Sequence, residues 1–354
     1  MDIFIKGLGS ISPQNTIQNI LNDAEIVQHH TEYLKSIEPD YKKFINPVSS
    51  RRMSRIIKMG VTAAQLCLKD ANITNPDAII TATGLGCLED TENFLKSIIT
   101  NEEKLLNPTH FIQSTHNTLA AQVALILKCY NYNITHAHRG SSFESALTDA
   151  ILLLKEKEAN NVLLGAADEI TPGFFNITKR LNLWKKEQIN HLKLREFKTN
   201  GSIAGEGSVF FIVTNEINAD NYAAIKAVNV FYKPESNNYI SKRISLFLAE
   251  NQLESGDIDL LILGINGNAK TDGIFNYLRE GLFNNNLSAY FKHLCGEYHT
   301  SSSFATWLAS VIIKNQHIPN IIKLNQKPNN KINNVLIYNH YFNINHSLIL
   351  LSGC

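Results

Sequence analysis

The sequence predicts an α/β fold, and three observations carry that expectation. Short apolar runs rich in β-branched residues, bounded by Gly or Pro, alternate with longer segments whose apolar residues recur at helical spacing. No uninterrupted stretch of about 18 apolar residues occurs, so a membrane-spanning helix is not expected. With 354 residues, 44% of them hydrophobic and 18% charged, the chain has material for one or two large cores.

The elements follow in order. Ile3 to Ile5 reads as a strand, and Arg55 to Asp70 as a helix with apolar residues at 56, 57, 61, 64, 66, 67 and 68. Ala78 to Thr81 and Ile134 to His136 read as strands around a helix from Leu119 to Leu127. Phe143 to Lys157 is the next helix, and Ser141 with Glu144 supplies an S-x-x-E capping box for its start. Val162 to Leu164, Val209 to Val213 and Leu260 to Leu263 continue the strands, with a polar stretch from about 178 to 203 expected as a surface excursion. A helix from Phe304 to Lys314 and a strand pair, Asn334 to Tyr338 and His346 to Leu351, complete the pattern. Residues 1–215 and 216–354 thus form two α/β units, joined without a low-complexity linker and expected to pack as halves of one body.

Composition narrows the function. Net charge is +1, from 33 basic and 32 acidic side chains, so neither nucleic acid nor an anionic membrane is an expected partner. The opening MDIFIKGLGSISPQ lacks a signal-type apolar core, which points to the cytoplasm. Five cysteines, at 67, 87, 129, 295 and 354, form no C-x-x-C pair, so neither zinc nor a redox disulfide is expected, and no cofactor motif occurs.

Four segments, in order, resemble the β-ketoacyl synthase family. They are Ile5 to Pro13, Gly60 to Leu88 with its GVTAAQLCLKDANI helix and AIITATGLGCL turn, Arg195 to Val213 with REF and GSIAGEGSVFFIV, and Lys292 to Ala309. The resemblance implies a thiolase-like, five-layered α/β/α/β/α fold made of two fused halves, dimeric in use. It also implies a nucleophilic cysteine at a strand-to-helix elbow, where a helix N-terminus lowers the thiol pKa, and two histidines that assist it.

This chain departs from the family at all three places. An ungapped register counted back from Gly165 to Glu169 puts Gly140 where the cysteine falls. The loop Gly264 to Asp272 puts Asn266 at the first histidine, and Lys292-His293-Leu294-Cys295-Gly296-Glu297 puts Glu297 at the second. A hydrogen, an amide and a carboxylate cannot perform the condensation. The family's glycine-rich gate is also missing, since Asn339 to Asn345 contains no glycine.

Other readings of the elbow stay open. Ser141 or Ser142 could act as nucleophile with His136 or His138 as base, or Ser141 could simply cap the helix. The two histidines could pack, or bind a metal for which no third ligand is evident. Cys87 and Cys295 lack the context that activates a thiolate, and Arg139 could pair with Glu144 or Glu297. Asn107 to Asn117 resembles the family stretch that crosses the dimer interface, so Phe111, Ile112 and Ser114 could limit chain length from across it, or could be core residues. The resemblance as a whole implies a silent subunit, like a chain length factor, partnered by a catalytic ketosynthase and an acyl carrier protein.

Overall fold

Ten strands form one continuous ladder in a computed structural model that describes residues 2–187, 190–327 and 331–354. The strands are β1 (Ile3–Ile11), β2 (Ala78–Ala82), β3 (Tyr132–His136), β4 (Asn161–Asp168), β5 (Gly207–Thr214), β6 (Ala223–Tyr232), β7 (Leu260–Leu263), β8 (Leu287–Tyr290), β9 (Asn334–Tyr341) and β10 (Asn345–Ser352). The principal helices are α1 (Arg55–Asp70), α2 (Leu88–Thr100), α3 (Pro108–Gln113), α4 (Thr118–Leu127), α5 (Ser142–Lys155), α6 (Pro172–Arg180), α7 (Asn237–Glu250), α8 (Gly273–Glu280) and α9 (Ser302–Asn315).

The ladder runs β3-β2-β4-β5-β1-β6-β10-β9-β7-β8. Its first half therefore has the order 3-2-4-5-1, and its second half, read inward from β8, repeats that order strand for strand. The directions repeat too: β2 is parallel to β3 and β4, while β5 is antiparallel to β4 and β1. Correspondingly, β7 is parallel to β8 and β9, while β10 is antiparallel to β9 and β6. The halves join through a short seam, Ile3 to Ile5 of β1 against Ala223 to Ile225 of β6.

Period-2 alternation sorts the strand side chains into layers. Ile79, Leu163, Phe210 and Ile212 face an outer layer made by α1 and α4. Their neighbours Ile80, Leu164 and Phe211 face inward, onto α5 and α9, which also receive Ile262, Ile337 and Ile349 from the second half. Leu261, Leu263, Leu336 and Leu348 point to the far side, under α7 and α8. The five layers are thus α1/α4, first half-sheet, α5/α9, second half-sheet and α7/α8. Because sheets cover α9 on both sides, every residue from Ser302 to Ile313 is buried, and the helix is apolar around most of its girth.

Two expectations need correction. The stretch 178–203, two residues of which lie outside the described ones, is not a surface excursion. Trp184, His191, Leu194 and Ile203 are buried, and Trp184 pairs with Ser202. The capping box is absent as well: α5 starts at Ser142, Ser141 makes no side-chain cap bond, and Glu144 is turned into the centre of the molecule, fully buried.

Candidate functional site

The site lies where the C-terminal ends of β3, β4, β7 and β9 and their following loops meet the start of α5. Two of the family's glycine motifs explain their own positions there. Glu297 N–H donates to Ile203 O at 2.7 Å and Gly205 N–H to Glu297 O at 3.1 Å, so the GEG turn and the K-x-x-x-G turn lie back to back. A Cβ on Gly205 would sit 2.0 Å from Cys295 O, and Gly296 has φ +79°, so both positions require glycine. Glu206, between the two glycines of the motif, is fully buried and receives Arg55 in a two-pronged ion pair, with 2.5 and 2.7 Å contacts.

After β3 the chain crosses Ala137 and His138 into a single 3-10 turn, Arg139–Ser141. Arg139 holds a left-handed φ of +52°, and Gly140 behind it is buried. A Cβ on Gly140 would meet the Tyr341 Cβ at 2.5 Å. Tyr341, at the end of β9, thus fills the space into which a side chain at that position would project. It stacks on His299 at 4.4 Å, and Phe342 extends the aromatic cluster to Trp184. A cavity of about 20 Å³, lined by Glu297, His299 and Tyr341 among others, lies beside this cluster, large enough for a single water.

Asn266 and Glu297, expected from the resemblance at the two histidine positions, are brought together. Asn266 Nδ2 donates to Glu297 Oε2 at 2.8 Å, and Lys292 Nζ donates to both carboxylate oxygens at 2.9 and 2.7 Å. Lys292 also donates to His340 O at 3.0 Å, and both charged residues are 1% exposed. The three side chains thus form a buried, fully paired amide, carboxylate and ammonium.

The serine arrangement does not assemble. Ser141 Oγ donates to His138 O, while Ser142 Oγ accepts from His138 N–H and donates to Arg139 O. His138 Nδ1 bonds Ser145 Oγ, and His136 Nε2 bonds Asp149 Oδ2. Neither imidazole touches the hydroxyl of Ser141 or Ser142. Arg139 pairs with neither Glu144 nor Glu297. No group of three or more metal-binding side chains occurs among the described residues. Cys87 and Cys295 are buried, and burial pushes both thiols up, away from the reactive thiolate.

Phe111 and Ile112 are not core residues: on α3 they are 57% and 64% exposed, with Ser114 Oγ bonded back to Phe111 O. Other exposed apolar side chains are Ile99, Leu125 and Tyr130, and on β3 Tyr132 and Ile134 are 41% and 40% exposed. β3 is an outermost strand with one unpaired edge. At the opposite end β8 is covered, since Leu324 N–H bonds Ser288 O, Asn325 accepts from Ser288 N–H, and Lys323 bridges Ala289. Sequence reading singled out neither His299 nor Tyr341. The only signal for Tyr341 was the glycine-free stretch in which it lies.

Comparison with known proteins shows what the chain is similar to. Residues 27–185 match the profile of the β-ketoacyl synthase N-terminal domain. No curated protein sequence matches the chain. Among solved structures, the ishigamide ketosynthase/chain length factor is 16% identical with a TM-score of 0.85, over 100% of this chain and 99% of that one. A β-ketoacyl synthase from Burkholderia phymatum STM815 is 15% identical with a TM-score of 0.80, over 100% of both chains. The ketosynthase ApeO in complex with its chain length factor ApeC, from Xenorhabdus doucetiae, gives 15% and 0.77, over 100% of this chain and 98% of that one. At such identities the likeness is one of fold: the chain has the thiolase-like ketosynthase fold, and residues 27–185 match the β-ketoacyl synthase N-terminal domain.

Proposed function

We propose that this chain is a catalytically silent ketosynthase homologue that works as a chain-length-factor-like subunit beside a catalytic ketosynthase, on chains held by an acyl carrier protein in the cytoplasm. The observation that carries the reading is the elbow, where Gly140 offers no nucleophile and Tyr341 fills the space in front of it. The subunit's contribution then lies at its surface. The open edge of β3, flanked by Tyr132, Ile134, Phe111 and Ile112, offers unpaired backbone groups and apolar area to a partner of the same fold. Phe111, Ile112 and Ser114 would then border the partner's acyl pocket. Type II polyketide, aryl polyene, flexirubin or fatty-acid-like synthesis is the setting we assign, by analogy of fold.

Co-expression with a catalytic ketosynthase from the same source tests the reading. A mixed dimer that co-purifies and elongates a carrier-bound primer is the expected result. A stable homodimer with no affinity for the ketosynthase would replace the reading with that of a self-associating protein.

A further inference from the structure

β3 runs out into a histidine pair that the elbow leaves unused. His136 and His138 flank Ala137 in an H-x-H step, and the two-residue period of an extended chain places both rings on the side of α5. There His136 Nε2 meets Asp149 Oδ2 and His138 Nδ1 meets Ser145 Oγ, each at 3.0 Å. Ser145 and Asp149 stand one helical turn apart, about 5–6 Å. The two rings repeat that spacing, with centres 5.8 Å apart and planes at 71°.

These contacts fix both tautomers. Asp149 is a carboxylate that also accepts from Tyr132 O–H at 3.1 Å, so His136 Nε2 carries the proton and donates. Ser145 donates its own proton to Ser141 O at 2.9 Å, so its oxygen accepts from His138 Nδ1–H. Each ring keeps one basic nitrogen, Nδ1 of His136 and Nε2 of His138. Because the two nitrogens of an imidazole diverge, both basic ones face away from α5, and neither bonds any group among the described residues. The pair lies beside the open edge of β3, where the His136 side chain is 21% exposed and His138 is exposed.

An imidazole whose second nitrogen donates to a carboxylate or a similar acceptor is held as metal ligands are held, with tautomer and ring orientation set in advance. On one tetrahedral ion with metal–nitrogen bonds of about 2.0–2.1 Å, two imidazole centres lie about 5.2 Å apart. A small turn of either ring therefore closes the chelate. Two neutral nitrogens suit a borderline ion such as Zn²⁺ or Cu²⁺ and not a hard one such as Mg²⁺. The described residues bring no third ligating side chain of this kind to the pair, so water fills the remaining positions in the isolated chain.

We propose that His136 and His138 chelate a divalent transition-metal ion where the chain leaves β3, with Asp149 and Ser145 positioning the two rings. The site does not rest on the partner reading. Calorimetric titration of the purified, EDTA-treated chain with Zn²⁺, Cu²⁺ and Mg²⁺ tests it, in a Cys354→Ser background that removes the exposed thiol. The expected outcome is saturable uptake of one Zn²⁺ per chain, tighter uptake of Cu²⁺ and none of Mg²⁺. Affinity for Zn²⁺ should fall at least tenfold in H138Q, about 10–100-fold in D149N, where only the ring's anchor changes, and beyond detection in H136Q/H138Q. Melting temperatures in EDTA should match that of the background for H138Q and D149N, which separates lost ligation from lost folding. No saturable uptake of Zn²⁺ or Cu²⁺, or an affinity unchanged in H136Q/H138Q or in D149N, overturns the proposal and leaves the subunit reading to stand or fall on co-purification.

Discussion

Gly140 and Tyr341 are one feature seen from two sides. A methyl group on Gly140 would collide with the Tyr341 Cβ, which is backbone-tethered and cannot swing away as a long side chain could. Gly140→Ala is therefore expected to destabilise the fold by about 1–3 kcal/mol in urea denaturation, with part of the loss recovered in Gly140→Ala/Tyr341→Gly. A neutral single variant would show that Tyr341 does not pack there. The Lys292 and Glu297 pair has a sharper signature. Lys292→Met strands a buried carboxylate and should cost about 3–5 kcal/mol, while Lys292→Met/Glu297→Gln should restore most of it; equal stability of both variants would contradict a mutual pair. At this scale the sequence was informative about loss. Motif spacing is local, so the expectation that Gly140, Asn266 and Glu297 stand at the family's three positions could be formed from the chain alone. The compensation was not legible, because residues 140 and 341 become neighbours only through the fold.

Among the elements, the two ends of the sheet differ in the way that matters for assembly. β8 is short, buried and covered by residues 323–325, whereas β3 keeps an open edge beside exposed apolar side chains. Ile134→Lys with Phe111→Asp should abolish dimerisation, seen by light scattering, and leave the melting temperature of the subunit unchanged within about 2 °C. A dimer that persists would place the interface elsewhere. Strands buried on both faces, such as Leu260–Leu263, were readable as apolar runs. β6 was not, since its outer half carries Lys226 and Asn229 and alternates toward solvent. The S-x-x-E pattern misled because burial won: Glu144 points between the layers toward Ser302 and Ser347, where desolvation raises its pKa, and does not fold back over the helix start.

For the whole molecule, the repeated 3-2-4-5-1 order makes each half the other's covering layer, and it buries titratable groups that respond to pH. Burial lowers His191 to about 4, His293 to about 3 and His346 to about 4, from an ordinary 6.5. The unfolded chain binds protons at these sites below about pH 6.5 and the folded one only below about 3 to 4, so stability drops as pH falls through that window. Glu169, raised by burial from 4.5 to about 8, and Asp272, raised by burial from 3.8 to about 6, work the other way, as do the buried Glu144 and Glu297, but burial also lowers His299 and His340, so five imidazoles stand against four carboxyls. The melting temperature should therefore fall between pH 6.5 and 4, less steeply in His346→Gln; a flat profile would contradict the burial of these rings. The alternation of strands and helices was legible from the start, and so was the division into two units as an expectation. The repeated strand order, like the plugged elbow, needed the three-dimensional structure. The most direct test of that elbow is to incubate the isolated chain with labelled malonyl-loaded and acyl-loaded carrier protein, and to follow carbon dioxide release and intact-protein mass together. No release and no covalent adduct are predicted; decarboxylation with elongation, or an acyl adduct that disappears in Ser141→Ala or Ser142→Ala, would contradict the account.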